Sequence, residues 1–424
     1  MKMDTVIDAV RSSVIDLFQR QRENKDQARI GLGDLVREGA RLMLQTALEM
    51  EVEEFLGREY YQRGKRKRNG YRNGAYTRPV KTIAGNITVD KPKVRDTEEE
   101  FHSEIIRAWQ RRCDELSAVI PRLYIEGLST RDFQRALKAF WGESGLSRNT
   151  ISRMNLRLHE EFEAWRKRDL SGEEILFLFL DGLYAGVRFG TSEKEAVLVA
   201  HGYRKDGSRV VLGITFGGRE STSSWSDLLH NLEKRGLRQP ILVISDGNPG
   251  LIAALKDIWP DLPRQRCIKH RMKNILDKVP KSVREEVRKA LNAIWYAEDE
   301  KAALDKAREF VNQYGKKYEA ATECLVECLA DCLTFFRFPE KYWRHIRTSN
   351  LLERTFREVR RRTKVIGRFP TETSALVVIY GVLTLDSPKW RGIDLDAEAI
   401  IKIEDVSKKL RENPIQLDFI QEVA

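Results

Sequence analysis

Ile175-Leu176-Phe177-Leu178-Phe179-Leu180-Asp181-Gly182 sets six apolar residues directly before a carboxylate and a glycine. So short an unbroken apolar run, closed by a turn residue, fits a strand buried on both faces of a sheet. Ile241-Leu242-Val243-Ile244-Ser245-Asp246-Gly247 repeats the form further along. α/β sheets place ligands outside the carboxyl ends of their strands. An ionised carboxylate there is costly unless positive charge faces it. A turn explains either aspartate singly, whereas two on one sheet edge point to a shared cation. A third Asp-Gly, at Asp206, lies between Lys205 and Ser208 and reads as a hairpin turn.

The intervening sequence supplies the rest of a sheet. Val187-Arg188-Phe189 continues or pairs with the first run, Ala196–Ala200 is a second, and Val210–Phe216 is a third beyond the Asp206 turn. Trp225, Leu228, Leu229 and Leu232 then recur at helical spacing before the Ile241 run. A three-strand meander, a helix and another strand is the core order of a ribonuclease-H-like α/β fold, an order that several small folds share in part.

A third carboxylate has to come from elsewhere. In Ser349-Asn350-Leu351-Leu352-Glu353-Arg354-Thr355-Phe356-Arg357, Glu353 falls one turn inside a helix capped by Ser349 or Asn350. Segment 344–368 carries nine Lys or Arg against two acids, Glu353 and Glu358. Glu353 is then either a salt-bridge partner on a basic helix or a third ligand beside Asp181 and Asp246. In the second case Arg354, Arg357, Arg360, Arg361, Arg362 and Lys364 bring DNA phosphates to the site. In-line phosphodiester transfer calls for two hard cations roughly 3.5–4 Å apart, one on the attacking and one on the leaving oxygen. Magnesium takes oxygen ligands and keeps waters, so a few carboxylates suffice for two Mg2+ ions, with Mn2+ as a substitute.

The whole chain has 424 residues, 75 Lys+Arg against 64 Asp+Glu and a net charge of +11. Its length allows about two to four domains, and its clustered basic residues point to a polyanionic partner. Residues 1–57 read as helical, with Leu44, Leu48, Val52 and Phe55 at helical spacing and Gly57 as the stop. From Arg63 to Lys81 there are eight basic residues, Lys65, Arg66, Lys67 and Arg68 among them, and no acid; tyrosines and glycines interleave them. That mixture suits a loop following a phosphate backbone, the alternative being a solvated charged loop. Ile83, Ile87 and Val89 around Ala84-Gly85-Asn86 predict a short hairpin. Residues 129–158 read as a helix-turn-helix whose second helix offers Arg148, Asn149, Arg153 and Arg157 to phosphates and base edges; an ordinary amphipathic helical hairpin has the same pattern. Residues 271–346 are helical throughout.

The N-terminus lacks an apolar signal core and no run is long enough to span a membrane. With five cysteines in no framework spacing, a reducing cytosol is expected, in association with the nucleoid. Cys267-x-x-His270 is half of a four-ligand zinc pattern, whose other half would be Cys324, Cys328 and Cys332. Those three, four residues apart among Leu325, Val326 and Leu329, are better explained as a packed helix face. Cys267 is then expected to end a core strand beside Asp246, with His270 aimed at the scissile phosphate.

Taken together, Leu180-Asp181-Gly182-Leu183-Tyr184, Ser245-Asp246-Gly247-Asn248-Pro249-Gly250-Leu251, Gln265-Arg266-Cys267-Ile268-Lys269-His270 and Ser349–Arg354 running on to Arg361–Pro370 resemble the Mutator-like bacterial insertion-sequence transposases of the Asp-Asp-Glu superfamily. The resemblance spans roughly residues 40–390. It implies a ribonuclease-H-like catalytic core interrupted by an all-helical insertion between the second Asp and the Glu. It makes Asp181, Asp246 and Glu353 the metal ligands, with Cys267 and His270 as a signature beside them. The expected divisions are a helical region 1–57, a DNA-binding region 58–170 with the hairpin at 58–95, core 171–270, insertion 271–346, core with basic helix 347–390, and a tail 391–424. The expected activity is transposition, on double-stranded DNA as terminal inverted repeats and target, with a second copy of the chain on that DNA. A non-catalytic DNA-binding regulator and a structure-selective nuclease on the same core are the alternatives.

Overall fold

The computed structural model describes residues 32–58, 70–82, 85–106, 121–125, 148–183, 196–217, 221–349, 353–364, 371–386 and 390–413, with a few single positions besides. Two compact units divide the chain: residues up to Tyr124 with 128–156, and 125–127 with everything from Arg157 onward.

In the first unit, helix α1 (Leu32–Leu56) packs on an antiparallel ribbon of β1 (Tyr71–Thr82) and β2 (Gly85–Arg95). Leu48 of the helix meets Val80, Ile87 and Val89 of the ribbon in one apolar cluster. The ribbon is longer than the expected short hairpin. Half of the basic stretch that reads as a loop, from Tyr71 through Arg72, Tyr76 and Arg78 to Lys81, is strand β1. Alternate apolar residues anchored on α1 hold it extended, and Gln45 clamps β2 by exchanging two hydrogen bonds with the Asp90 backbone, at 2.8 and 3.0 Å. Lys65 to Arg68 lie outside the described residues.

Of the expected helix-turn-helix, the first helix and the turn also lie outside the described residues. The second is helix α2 (Arg148–Lys167), which runs past Leu158 to Lys167. The side chains of Arg148, Asn149 and Arg153 are likewise outside the description, while Arg157 is exposed beside Glu161 at 3.4 Å. Farther along α2, Phe162 and Trp165 pack their rings on Tyr380.

The second unit is built on a five-stranded sheet in the order β5-β4-β3-β6-β7. β3 (Ile175–Leu183), β4 (Ala196–Arg204) and β5 (Arg209–Gly217) form the antiparallel meander. Asp206 makes the turn between the last two, its Oδ1 accepting the Ser208 N–H at 2.8 Å. Helix α3 (Thr222–Lys234) crosses over to β6 (Leu242–Ser245), which lies parallel to β3. A parallel neighbour cannot be reached by a tight turn, hence the helix. Helix α4 (Pro249–Ile258) then leads to β7 (Arg264–Arg266), parallel to β6. Val187–Phe189 lie outside the described residues.

Both faces of β3 are covered, which is why its sequence is apolar without alternation. Leu178, Leu180 and Val243 join Trp225, Leu229 and Leu251 on the α3–α4 face. Phe177, Phe179, Leu242 and Ile244 face a helical layer: α5 (Ile268–Leu276), α6 (Arg284–Trp295), α7 (Glu300–Tyr314), α8 (Glu319–Val326), α9 (Leu329–Leu333) and α10 (Glu340–Ile346). The three late cysteines are buried in this layer, but not on one helix. Cys324 is on α8, Cys328 in the break after it and Cys332 on α9.

Helix α11 (Glu353–Lys364) packs on α12 (Glu372–Asp386), and α13 (Ala397–Glu412) returns Ala399 and Ile403 to the helical layer. No helix among the described residues is long and apolar enough to cross a membrane.

Candidate active site

The register of β3 and β6 builds the first half of the site. Leu180 lies opposite Ser245, so Asp181 and Asp246 are the next residues of two adjacent parallel strands. Such strands run roughly 4.8 Å apart. Alternation turns both carboxylates to the face of Phe177, Phe179, Leu242 and Ile244, the face covered by the helical layer. Asp246 is held by its own turn: its Oδ1 accepts the Asn248 N–H at 3.0 Å and its carbonyl accepts Arg266 Nε–H at 3.2 Å. Gly247 makes that turn at φ 80°, and a Cβ there would run into the Arg266 side chain. Asn248 in turn caps α4, accepting the Gly250 and Leu251 N–H groups at 2.8 and 3.3 Å, with Pro249 at the first helical position.

The next strand brings the second half. Ser245 lies opposite Arg266 of β7, and Cys267, fully buried, donates its N–H to the Ser245 carbonyl at 2.7 Å. Cys267 is the N-cap of α5, so His270 falls in the first turn of that helix, beside the aspartates. Ser349 ties the chain before α11 to this corner. Its N–H donates to Cys267 Sγ at 3.3 Å, its hydroxyl lies 3.4 Å from His270 Nδ1, and the Ile268 N–H donates to the Arg347 carbonyl at 3.2 Å.

The charges respond to this packing. Burial pushes the Asp181 carboxyl up to about 7; the His270 charge opposes the rise and Asp246 and Cys267 add to it. His270 is pushed up to about 9 by its hydrogen bond to Cys267, against its own burial and helped by Asp181 and Asp246. Burial alone would raise the Cys267 thiol, but hydrogen bonding and charge from His270, then the Ser349 contact, bring it down to about 7. Burial thus favours the protonated acid at Asp181, while the hydrogen bond to Cys267 keeps the His270 imidazole charged.

Glu353 opens α11 as an exposed residue beyond positions 350–352, which are outside the description. Among the described residues no three His, Cys, Asp or Glu side chains are gathered as a group that could hold a metal ion. The structure thus brings Asp181, Asp246, Cys267 and His270 together, and Glu353 joins no such group among the described residues.

A family model described as "Transposase, Mutator family" matches residues 12–392. The chain belongs to that family. The transposase for insertion sequence element IS6120 of Mycolicibacterium smegmatis is 36% identical over 280 residues, covering 66% of this chain and 86% of that protein. The transposase for insertion sequence element ISRM5 of Rhizobium meliloti is 33% identical over 374 residues, 88% of this chain and 92% of its own. That for insertion sequence element IS1081 of Mycobacterium tuberculosis is 31% identical over 366 residues, 86% and 88%.

Helix α11 of this transposase has two unlike faces. Thr355, Phe356, Val359 and Thr363 are buried; Glu353, Arg357, Arg360, Arg361 and Lys364 are exposed, at spacings that put them on one side. Arg361 pairs with Glu358 at 2.9 Å. Arg362 departs from its expected place among the phosphate contacts: it is buried on the inner face, 3.5 Å from Glu358. The helical period dictates this, since Arg362 follows Thr355 and Val359 along the inner stripe. The Arg354 side chain is outside the description. Sequence reasoning missed Ser349 as the tether between α11 and the Cys267–His270 corner, having only its capping character to go on. Also missed was the Asn248-Pro249 cap that fixes the Asp246 turn, although an asparagine followed by a proline is a helix-start signal.

Proposed function

We propose that this transposase cuts and joins DNA by metal-dependent phosphodiester transfer, with Asp181, Asp246 and Glu353 holding two Mg2+ ions on a ribonuclease-H-like core. The observation that carries the reading is the pair of adjacent strand-end aspartates, whose helical neighbour α5 presents His270 to the same point. An antiparallel meander with two parallel strands added beside β3 supports the ribonuclease-H-like assignment.

The donors fit the metal. Carboxylate oxygens are what magnesium takes, and burial, with Asp246 beside it, makes the ionised form of Asp181 costly unless positive charge joins it. Glu353 would supply the third carboxylate: Ser349 is fixed at the corner, and four residues reach at most about 14 Å. Divalent cations held there supply positive charge to the attacking and leaving oxygens of an in-line transfer.

The protein's own groups do the rest. His270, kept charged by Cys267, donates to the phosphate as charge develops on it. The Asn248 N–H holds the Asp246 carboxylate in one orientation. Arg357, Arg360 and Lys364, exposed on the face of Glu353, carry the DNA backbone past the site. The second helix of a helix-turn-helix, α2, is assigned to the ends of the element, and a second copy of the chain to the other end.

Incubating the protein with magnesium and the ends of its own DNA element, and resolving nicked, excised and joined strands, tests the reading. Asp181→Asn, Asp246→Asn and Glu353→Gln should each abolish cleavage and joining while DNA binding persists. Joining by any of the three refutes the assignment of that residue.

A further inference from the structure

We infer that the outer side of the α5–α6 hairpin is an additional DNA-contact surface, which takes the phosphate backbone of the duplex leading away from the aspartate pair. The inference rests on the DNA-joining reading above. An open groove of about 280 Å3 runs between the two helices, edged by Lys269 and Lys273 on α5 and by Arg284 and Arg288 on α6. Four-residue spacing puts each pair one turn apart on the same side of its helix.

Acids offset only half of this charge. Arg284 lies 3.5 Å from Asp277, and Arg288 pairs with Glu285. Lys269 and Lys273 are exposed, and neither makes an ion pair among the described residues. Lys269 also sits in the first turn of α5, which contains no acid. Positive charge there works against the helix dipole, so an anion from outside the chain would relieve a local cost.

Placement gives the groove its occupant. Lys269 precedes His270 in the same turn, so the groove begins where the aspartate corner ends. At the far end of α6, Tyr296 is 56% exposed and carries the Arg347 guanidinium 4.3 Å from its ring centroid. The Arg347 carbonyl accepts the Ile268 N–H, which brings that aromatic and cation to the same first turn of α5. Regularly spaced cations leading from an exposed aromatic are complementary to a nucleic-acid backbone and its bases.

The test is an anisotropy titration of the full-length protein against a labelled duplex carrying the element's end, over a range of potassium chloride concentrations. A Lys269→Ala/Lys273→Ala variant should lose about 1.8 from the slope of log affinity against log salt, at about 0.9 per phosphate contact. Its affinity near physiological salt should fall on the order of tenfold. Both lysines are exposed, so thermal unfolding should be unchanged; Lys269→Gln/Lys273→Gln, which keeps most of each stem, serves if the alanine variant is unstable. An unchanged slope and affinity in a folded variant overturns the inference. The two readings fail separately. Joining by Asp181→Asn with the slope loss intact removes the metal site and spares the surface; normal slopes with inactive Asp181→Asn do the reverse.

Discussion

Replacing Asp181 with Asn should make the metal-free transposase more stable at pH 8 while it destroys joining. The Asp181 carboxyl is pushed up to about 7, first by burial, from an ordinary value of 3.8. Its folded-state value therefore lies above its unfolded one. As pH rises between the two, the unfolded chain gives up this proton while the folded chain keeps it. Stability falls through that window and levels off above about pH 7. Roughly three units at 1.36 kcal/mol each give about 4 kcal/mol. The residue retains some exposed surface, and solvent there halves the figure to about 2 kcal/mol. Asn has the same shape and no charge, so it escapes this loss; the value of about 7 already includes the attraction of Asp181 to His270. A gain of about 2 kcal/mol results, about 4–8 °C in melting temperature for a unit of this size. Unfolding of both proteins in EDTA, followed from pH 5 to pH 8, measures it. The gap should widen with pH, and magnesium should raise the melting temperature of the unaltered protein only. A variant no more stable than the parent at pH 8, or a gap independent of pH, refutes the account of the buried carboxyl.

Two further outcomes follow from the same corner. His270→Ala should slow joining on the order of 10²-fold with little change in DNA affinity if His270 is the donor to developing charge proposed above; strand-transfer rates under saturating DNA check it. Gly247→Ala should destabilise the fold by about 1–3 kcal/mol, since it imposes a side chain on a positive-φ turn packed against Arg266; urea denaturation reads the loss, and an unaffected midpoint contradicts it.

The sheet was legible because burial writes directly into sequence. Leu176–Leu180 and Leu242–Ile244 are apolar without alternation because a helical layer lies on each side, and the Asp that ends each run marks the sheet edge. The Asp206 turn was equally plain. The ribbon was less so: Arg72, Arg78 and Lys81 are strand residues whose charge reads as loop, and only their pairing with β2 and its contact with α1 make them extended. The break at Glu327–Cys328, between Val326 and Leu329, has no glycine or proline to announce it. Ser349 could not be found at all from spacing, because its partners Cys267 and His270 lie far back in the chain and meet it only through the tertiary fold.

Helix α11 explains why one acid can stand among so many bases without being a mere salt-bridge partner. Glu358 pairs with Arg361 and Arg362, so the local salt-bridge role on this helix is already filled. Glu353 has no such pairing among the described residues and stands in the first turn, where the helix dipole favours a carboxylate. Its face carries Arg357, Arg360 and Lys364, exposed cations that the proposed function pairs with DNA phosphates. A backbone lying along that face would pass its phosphates by Glu353. The same geometry that keeps Glu353 solvent-exposed in the free chain leaves it available to meet a cation, and DNA and metal would then bind the helix together rather than in competition.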